Sequence, residues 1–80
     1  MVVNVQHFAV LREVRGICEE TVDIECAEAI TIENLFERLF PEQKWRVFPV
    51  MFAVNDHYVT KDHHLADGDT VVFIPPLGGG

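Results

Sequence analysis

Residues 31–41, TIENLFERLFP, predict one amphipathic helix, and the rest of the fold is arranged around it. Thr31 suits the N-cap, and Glu33 lies in the first turn, where the helix dipole favours negative charge. Pro41 cannot continue a helix. The apolar side chains follow the i, i+3, i+4, i+7, i+8 spacing of a single helical face, namely Ile32, Leu35, Phe36, Leu39 and Phe40.

The residues before this helix predict two strands that pair as a hairpin. In an extended chain over residues 3–10, one face carries Val3, Val5, His7 and Ala9, and the other carries Phe8 and Val10. Gly16 then favours a turn. Residues 18–26 alternate apolar and polar side chains with the period of two that suits a half-buried antiparallel strand.

The residues after the helix predict three more segments. Residues 42–48 are ambiguous, because Pro41 could open a further helical turn that Pro49 would end. Residues 48–54 are too apolar for a sheet edge, so they predict a central strand. Asn55 and Asp56 turn the chain into a short strand near Tyr58 and Val59, and the turn at 67–69 leads into a strand at 70–74. The predicted class is α+β, in the order β-β-α-β-β.

The composition limits the partners that the chain could bind. It has 80 residues, which is about half of a typical domain of roughly 150, so one compact unit is expected. The net charge of −7 disfavours nucleic acids and anionic membranes and favours basic protein partners. No apolar run approaches the roughly 20 residues of a membrane span. Residues 1–7 have neither the basic region nor the small-residue cleavage site of a signal peptide, so nothing suggests secretion. We therefore expect a cytoplasmic protein.

The side chains that could carry chemistry do not form a convincing site. Cys18 and Cys26 would lie roughly 26 Å apart in one extended segment, too far for a disulfide, so two reduced thiols are expected. His57, His63 and His64, with Asp56 and Asp62 beside them, match no standard zinc spacing, and no metal site is predicted. Serine is absent. The sequence therefore predicts no internal active site.

The last six residues, PPLGGG at 75–80, differ in kind from the domain predicted at 1–74. Two prolines stiffen the backbone after the last strand. The glycines have no Cβ atoms, so they form a thin segment that could enter a narrow channel. Gly80 carries an unhindered α-carboxylate that another enzyme could activate. The alternatives are a frayed end or a cloning remnant.

Several short motifs in order along the chain resemble one family. They are Phe8-Ala9-Val10-Leu11-Arg12-Glu13 with Gly16, Ala53-Val54-Asn55, Asp62 with Leu65, Asp67-Gly68-Asp69-Thr70-Val71, and Pro75-Pro76 with the terminal glycines. Together they are similar to the small, sulfur-carrier subunits of molybdopterin synthase in the ubiquitin-like MoaD/ThiS family. The resemblance implies a β-grasp fold, with a mixed sheet packed on one main helix. Ile74 departs from the family, where an aromatic residue is frequent, and Gly78 adds a third glycine.

The resemblance also implies a function that needs partners and no bound cofactor. An activating enzyme would use ATP to adenylate Gly80, and a sulfurtransferase would supply the sulfur that converts it to a thiocarboxylate. The thiocarboxylate would donate sulfur to cyclic pyranopterin monophosphate and so form the molybdopterin dithiolene. The tail would insert into the large synthase subunit, which would supply the catalytic side chains in a heterotetramer of two small and two large subunits. The inserted residues would be Pro75, Pro76, Leu77, Gly78 and Gly79.

Two other functions stay open at this point. A sulfur carrier of the thiamine pathway has a similar fold and tail, and a ubiquitin-like modifier or interaction module would be conjugated to lysines through its glycine end. For the partner surface we predict that Phe8, Tyr58 and Ile74 face outward near the tail and contact the large subunit. The alternative is that these three side chains belong to the core.

Overall fold

The computed structural model describes residues 1–25 and 29–76. Cys26 and residues 77–80, which include the predicted reactive Gly80 and the tail residues Leu77, Gly78 and Gly79, lie outside the described residues. The elements in chain order are β1 (Val2–His7), α1 (Ala9–Arg15), β2 (Glu19–Asp23), α2 (Ile32–Leu39), a 3₁₀ helix (Gln43–Arg46), β3 (Met51–Val54), β4 (His57–Val59) and β5 (Thr70–Ile74).

The described strands form one five-stranded mixed sheet in the order β2-β1-β5-β3-β4. β1 pairs in parallel with β5, and the other three pairings are antiparallel. The predicted α+β class is confirmed. β3 lies between β5 and β4, as expected for its apolar sequence, and β4 and β5 occupy the predicted positions.

Helix α2 covers one face of this sheet and begins at the predicted N-cap. The backbone N–H of Asn34 donates to Thr31 Oγ1 at 3.2 Å, and the Asn34 side chain accepts from the Thr31 N–H at 3.3 Å. These two bonds satisfy donors that a helix start leaves free. Phe36 meets Phe73 of β5 in a T-shaped contact at 5.1 Å, so the apolar face of the helix packs on the sheet as predicted.

The segment that the sequence left ambiguous is the short 3₁₀ helix at Gln43–Arg46. Trp45 is buried and contacts Phe40 and Phe48 edge-on, with ring centroids 5.4 and 4.9 Å away. Arg46 donates to the carbonyl of Phe40 at the end of α2. The indole therefore extends the core beyond Pro41.

The prediction of an extended chain over residues 3–10 was wrong beyond His7, because residues 9–15 form helix α1. β1 ends at His7, the chain turns at Ala9 with a φ of 51°, and the helix ends at Gly16 with a φ of 73°. The apolar pattern does not distinguish a helix from a strand here, because Leu11 is the buried residue of α1, while Val10 and Val14 are exposed. β1 and β2 pair antiparallel as predicted, but a helix joins them, and the predicted order lacked this element.

Glu20 of β2 joins β1 and α1 by accepting hydrogen bonds from His7 and Arg15. His7 is 1% exposed, and its Nε2 donates to Glu20 Oε2 at 2.7 Å. Arg15 of α1 donates to the same carboxylate from Nε at 2.9 Å and from Nη2 at 2.8 Å. The hydrogen bonds from Arg15 hold the pKa of Glu20 below its ordinary value, against the opposing effect of desolvation.

Replacing Glu20 by glutamine is expected to lower the free energy of unfolding at pH 7 by about 1 kcal/mol, because the bidentate ionic contact with Arg15 is lost. A depressed carboxyl pKa contributes stability above the unfolded-state value, and this contribution disappears as the pH falls through the folded-state pKa. The difference between the wild type and Glu20→Gln should therefore shrink toward zero in acid. Urea unfolding at several pH values measures this difference in the free energy of unfolding. Glu13→Gln, on the exposed surface of α1, is the matched control, and a Glu20→Gln difference that did not change with pH would contradict the assignment.

Candidate functional site: a groove on the open sheet face

The face of the sheet opposite α2 is partly exposed, and strand pairing arranges its side chains in rows. Val72 of β5 is the register partner of Gln6 in β1 and of Ala53 in β3, and Ala53 is in turn the partner of Tyr58 in β4. The next row contains Met51 opposite Ile74, and Phe8 follows the end of β1 at the same level. Side chains from four strands therefore meet on one surface.

A concavity of about 490 Å³ lies across these rows. Ala53 forms its floor and is 8% exposed, whereas Phe8 and Tyr58 rise at its sides with 50% and 71% of their surface exposed. We call it the open-face groove, and the lining residues used below are Phe8, Ala53, Asp56, Tyr58, Ile74 and Pro75.

The structure brings the three predicted surface residues together in this groove. Phe8 and Tyr58 are exposed, and Ile74 is half-buried. The alternative that all three belong to the core is wrong for Phe8 and Tyr58. The large apolar area that they leave open is typical of a protein-binding surface.

The sequence did not indicate the other side chains that give the groove its shape. Ala53 is small, so it leaves the space between Phe8 and Tyr58 empty. Asp56 belongs to the turn between β3 and β4, where a loop carboxylate is usually an ordinary surface group. Their proximity to Phe8 depends on the register of β3 against β5, which the sequence alone does not specify.

The chain leaves the domain at the edge of the open-face groove. β5 ends at Ile74, and Pro75 is buried and lines the groove, while Pro76 is exposed. A protein that covers the groove would therefore also lie next to the start of the tail.

The other polar candidates are dispersed over the described part of the chain. Cys18 is exposed and free just before β2. His57 Nδ1 hydrogen-bonds to the carbonyl of Asn55 at 2.9 Å, whereas the backbone at His63 accepts from Ile32 at the start of α2. No group of three His, Cys, Asp or Glu side chains within residues 1–25 and 29–76 could hold a metal ion. Over the same residues, no helix has the length and apolar character to cross a membrane.

Comparison with known proteins relates nearly the whole chain to one family. A model described as the ThiS family matches residues 5–80. Two curated relatives are named molybdopterin synthase sulfur carrier subunit. The one from Chlamydomonas reinhardtii is 35% identical over 85 residues and covers 100% of both chains. The one from Mycobacterium tuberculosis is 34% identical over 83 residues, with 98% of this chain and 96% of the relative covered.

Solved structures share the fold. A Pyrococcus furiosus protein provisionally named molybdopterin converting factor, subunit 1, is 30% identical with a TM-score of 0.78, covering 96% of this chain and 99% of that one. A complex of subunits 1 and 2 of molybdopterin-converting factor from Helicobacter pylori matches at a TM-score of 0.64 and 24% identity, over 100% of both chains. Small archaeal modifier protein 1 of Haloferax volcanii matches at 0.76 and 24% identity, over 95% of this chain and 98% of that one. These likenesses confirm the predicted ubiquitin-like β-grasp.

Proposed function

The chain belongs to the ThiS family, and from this premise we propose that it is the sulfur carrier subunit of a molybdopterin synthase, acting in the cytoplasm. The observation that carries the proposal is the position of the tail: Pro75 lines an exposed apolar groove, and a chain with a glycine end follows it. The relatives matched over their whole length carry the molybdopterin name, so we prefer this pathway to thiamine synthesis.

The proposed chemistry takes place at the carboxylate of Gly80. In the first step a carboxylate oxygen attacks the α-phosphorus of ATP on the activating enzyme, and pyrophosphate leaves. In the second step a hydrosulfide ion, supplied by a sulfurtransferase together with a thiol reductant, attacks the acyl carbon; AMP leaves, the proton is lost to solvent, and a thiocarboxylate remains. Glycines at 78–80 present no side chain to either attack, so the carboxylate can be placed in a narrow site without steric cost.

The thiocarboxylate then acts as the nucleophile in the synthase. Its sulfur attacks a carbon of cyclic pyranopterin monophosphate, and water then hydrolyses the bond between the sulfur and the acyl carbon, so the sulfur stays on the pterin and Gly80 leaves as a carboxylate. Two carriers in succession supply the two dithiolene sulfurs in this way. Among the described residues that line the groove with Pro75, only Asp56 and Tyr58 have titratable side chains, so the proposal assigns the catalytic side chains to the large subunit. The carrier is therefore a sulfur-donating subunit and not an enzyme on its own.

The open-face groove supports docking on that large subunit. An apolar patch flanked by exposed aromatic residues resembles the centre of a protein interface, and the −7 charge of the chain would speed its encounter with a basic partner. The Helicobacter pylori relative was solved as a complex of subunits 1 and 2. We propose the same pairing here, assembled as a heterotetramer of two small and two large subunits.

Reconstitution from purified components tests this function. The chain, ATP, an activating enzyme, a sulfide donor, the large subunit and cyclic pyranopterin monophosphate should together yield molybdopterin, detected as its fluorescent oxidation product. Exchange of the activating enzyme for the one of the thiamine pathway should abolish the yield. If the chain were loaded by the thiamine enzyme alone, the assignment to molybdopterin synthesis would be withdrawn.

Alanine at Cys18, Cys26 or His63 is expected to leave sulfur transfer at the wild-type rate, because the proposal places the donated sulfur on Gly80 and not on a side chain. A single-turnover reaction with the thiocarboxylated variants and the large subunit measures that rate. A cysteine variant that still forms its thiocarboxylate but no longer yields molybdopterin would contradict this prediction.

A further inference from the structure

Asp56 is the one acidic residue among the described residues that line the open-face groove. Asp56 follows Asn55 in the turn between β3 and β4, with φ angles of 69° and 51°. The Asn55 side chain accepts from the N–H of Thr70 at 2.9 Å and donates to Asp69 Oδ1 at 3.0 Å. The Asn55 N–H also donates to the carbonyl of Thr70 at 2.9 Å. The turn that presents Asp56 is therefore held by two hydrogen bonds to Thr70 of β5 and by one to Asp69 just before that strand.

The Asp56 carboxylate has no cationic partner among residues 1–25 and 29–76. Apart from the amide of Gln6, the rest of the groove is apolar and aromatic, with Ala53 and Val72 below and Tyr58 and Phe8 at the sides. A carboxylate next to exposed aromatic faces, above an apolar floor, is complementary to a guanidinium group on an aliphatic stem. Arginine fits better than lysine because its planar group stacks on rings, pairs with carboxylates through two N–H donors and is more weakly hydrated.

We propose that the open-face groove binds one arginine side chain presented by the protein that docks on it. The stem lies over Ala53 and Val72, the guanidinium stacks on Tyr58, and its N–H groups donate to the Asp56 carboxylate. The inference rests on the proposed function for the identity of the partner, which is the large synthase subunit. The binding chemistry itself rests on the groove alone.

The negative charge of Asp56 favours an arginine side chain over the other groups that could occupy an apolar groove. A neutral apolar side chain would cover Asp56 and leave a desolvated, unpaired carboxylate, which is costly. A second copy of this chain carries the same net charge of −7, so charge repulsion disfavours it as the occupant.

A double-mutant cycle with the large subunit tests the proposal. Asp56→Asn should weaken the complex about tenfold through loss of the ionic contact. Asp62→Asn removes the same charge from an exposed position outside the groove, so it serves as the matched control and should leave the affinity nearly unchanged. Tyr58→Leu, which keeps an apolar side chain but removes the ring, should weaken the complex several-fold. Each arginine and each lysine of the large subunit is then replaced by methionine, and one of the arginine changes should have no further effect once Asp56 is Asn.

A second measurement tests arginine binding in the groove independently of the proposed function. Titration with n-butylguanidinium, followed by the amide shifts of residues 53–58 in NMR spectra, probes the groove without any partner, and n-butylurea is the neutral control. Saturable shifts with the cation alone, lost in Asp56→Asn, support the groove site even if the large subunit does not bind this chain. In that case the proposed function fails and the inference about the groove stands.

Three results would overturn the inference while leaving the proposed function intact. The first is a wild-type affinity of Asp56→Asn for the large subunit. The second is coupling of Asp56 only to a lysine or to no basic residue. The third is an equal response of the groove to n-butylguanidinium and n-butylurea.

Discussion

Deletion of Gly79 and Gly80 is expected to abolish adenylation and sulfur transfer while leaving the melting temperature and circular dichroism of the domain unchanged. Removal of two residues moves the terminal carboxylate back by about 7 Å, and a misplacement of about 1 Å from a reactive geometry can already cost a hundredfold in rate. The deletion removes no residue of the described core, because the core cluster ends at Phe73 and the buried Pro75 is kept.

Two further tail variants distinguish the effect of displacing the terminal carboxylate from the effect of blocking its entry into the partner. One residue added after Gly80 should be as damaging as the deletion, since it also displaces the carboxylate. Gly79→Ile keeps the carboxylate in register but adds a branched side chain, so it should block passage through the channel of the partner. Molybdopterin formation by the deleted chain, measured in the reconstituted reaction, would contradict the assignment of function to the terminal carboxylate.

The second large effect is expected at the groove, where Phe8→Ala should weaken the complex with the large subunit about 30- to 100-fold. Aromatic side chains at the centre of an interface commonly contribute 2 kcal/mol or more. Phe8 is 50% exposed in the free chain, so its truncation should have little effect on folding. Ile74→Ala should weaken the complex less, because part of Ile74 is already buried by its own domain. Isothermal titration calorimetry measures both affinities.

Val47→Ala is the matched control for this series. Val47 is an apolar side chain with 85% of its surface exposed, and it does not line the open-face groove, so its loss should not change the affinity. A folded Phe8→Ala, Ile74→Ala double variant that bound the large subunit as tightly as the wild type would remove the groove from the interface.

The elements that could be predicted from sequence are those with strong local signals. Helix α2 has an N-cap at Thr31, a continuous apolar face and a proline after its last residue, so its bounds were predicted closely. β5 is a β-branched run that begins just after a turn at Gly68. Helix α1 was missed because its single buried residue, Leu11, leaves no helical period, and short apolar runs fit a strand equally well.

The residues of the candidate site also fall into two groups, those that could be predicted from the sequence and those that could not. Phe8, Tyr58 and Ile74 could be proposed from their character and from the motifs around them, since each is a large apolar residue next to a turn or the tail. Ala53 and Asp56 could not, because their role depends on which strands are neighbours. The β3–β5 pairing joins residues about twenty apart in sequence, and only the folded sheet brings Asp56 into the groove of Phe8.

The intact mass of the chain isolated from cells that are making molybdopterin tests the central claim most directly. A fraction of the molecules should be heavier by the mass difference between sulfur and oxygen, and fragmentation should place the increment on Gly80. The increment should disappear in cells that lack the activating enzyme. An unmodified Gly80 in every molecule, from cells whose molybdopterin synthesis depends on this chain, would contradict the account.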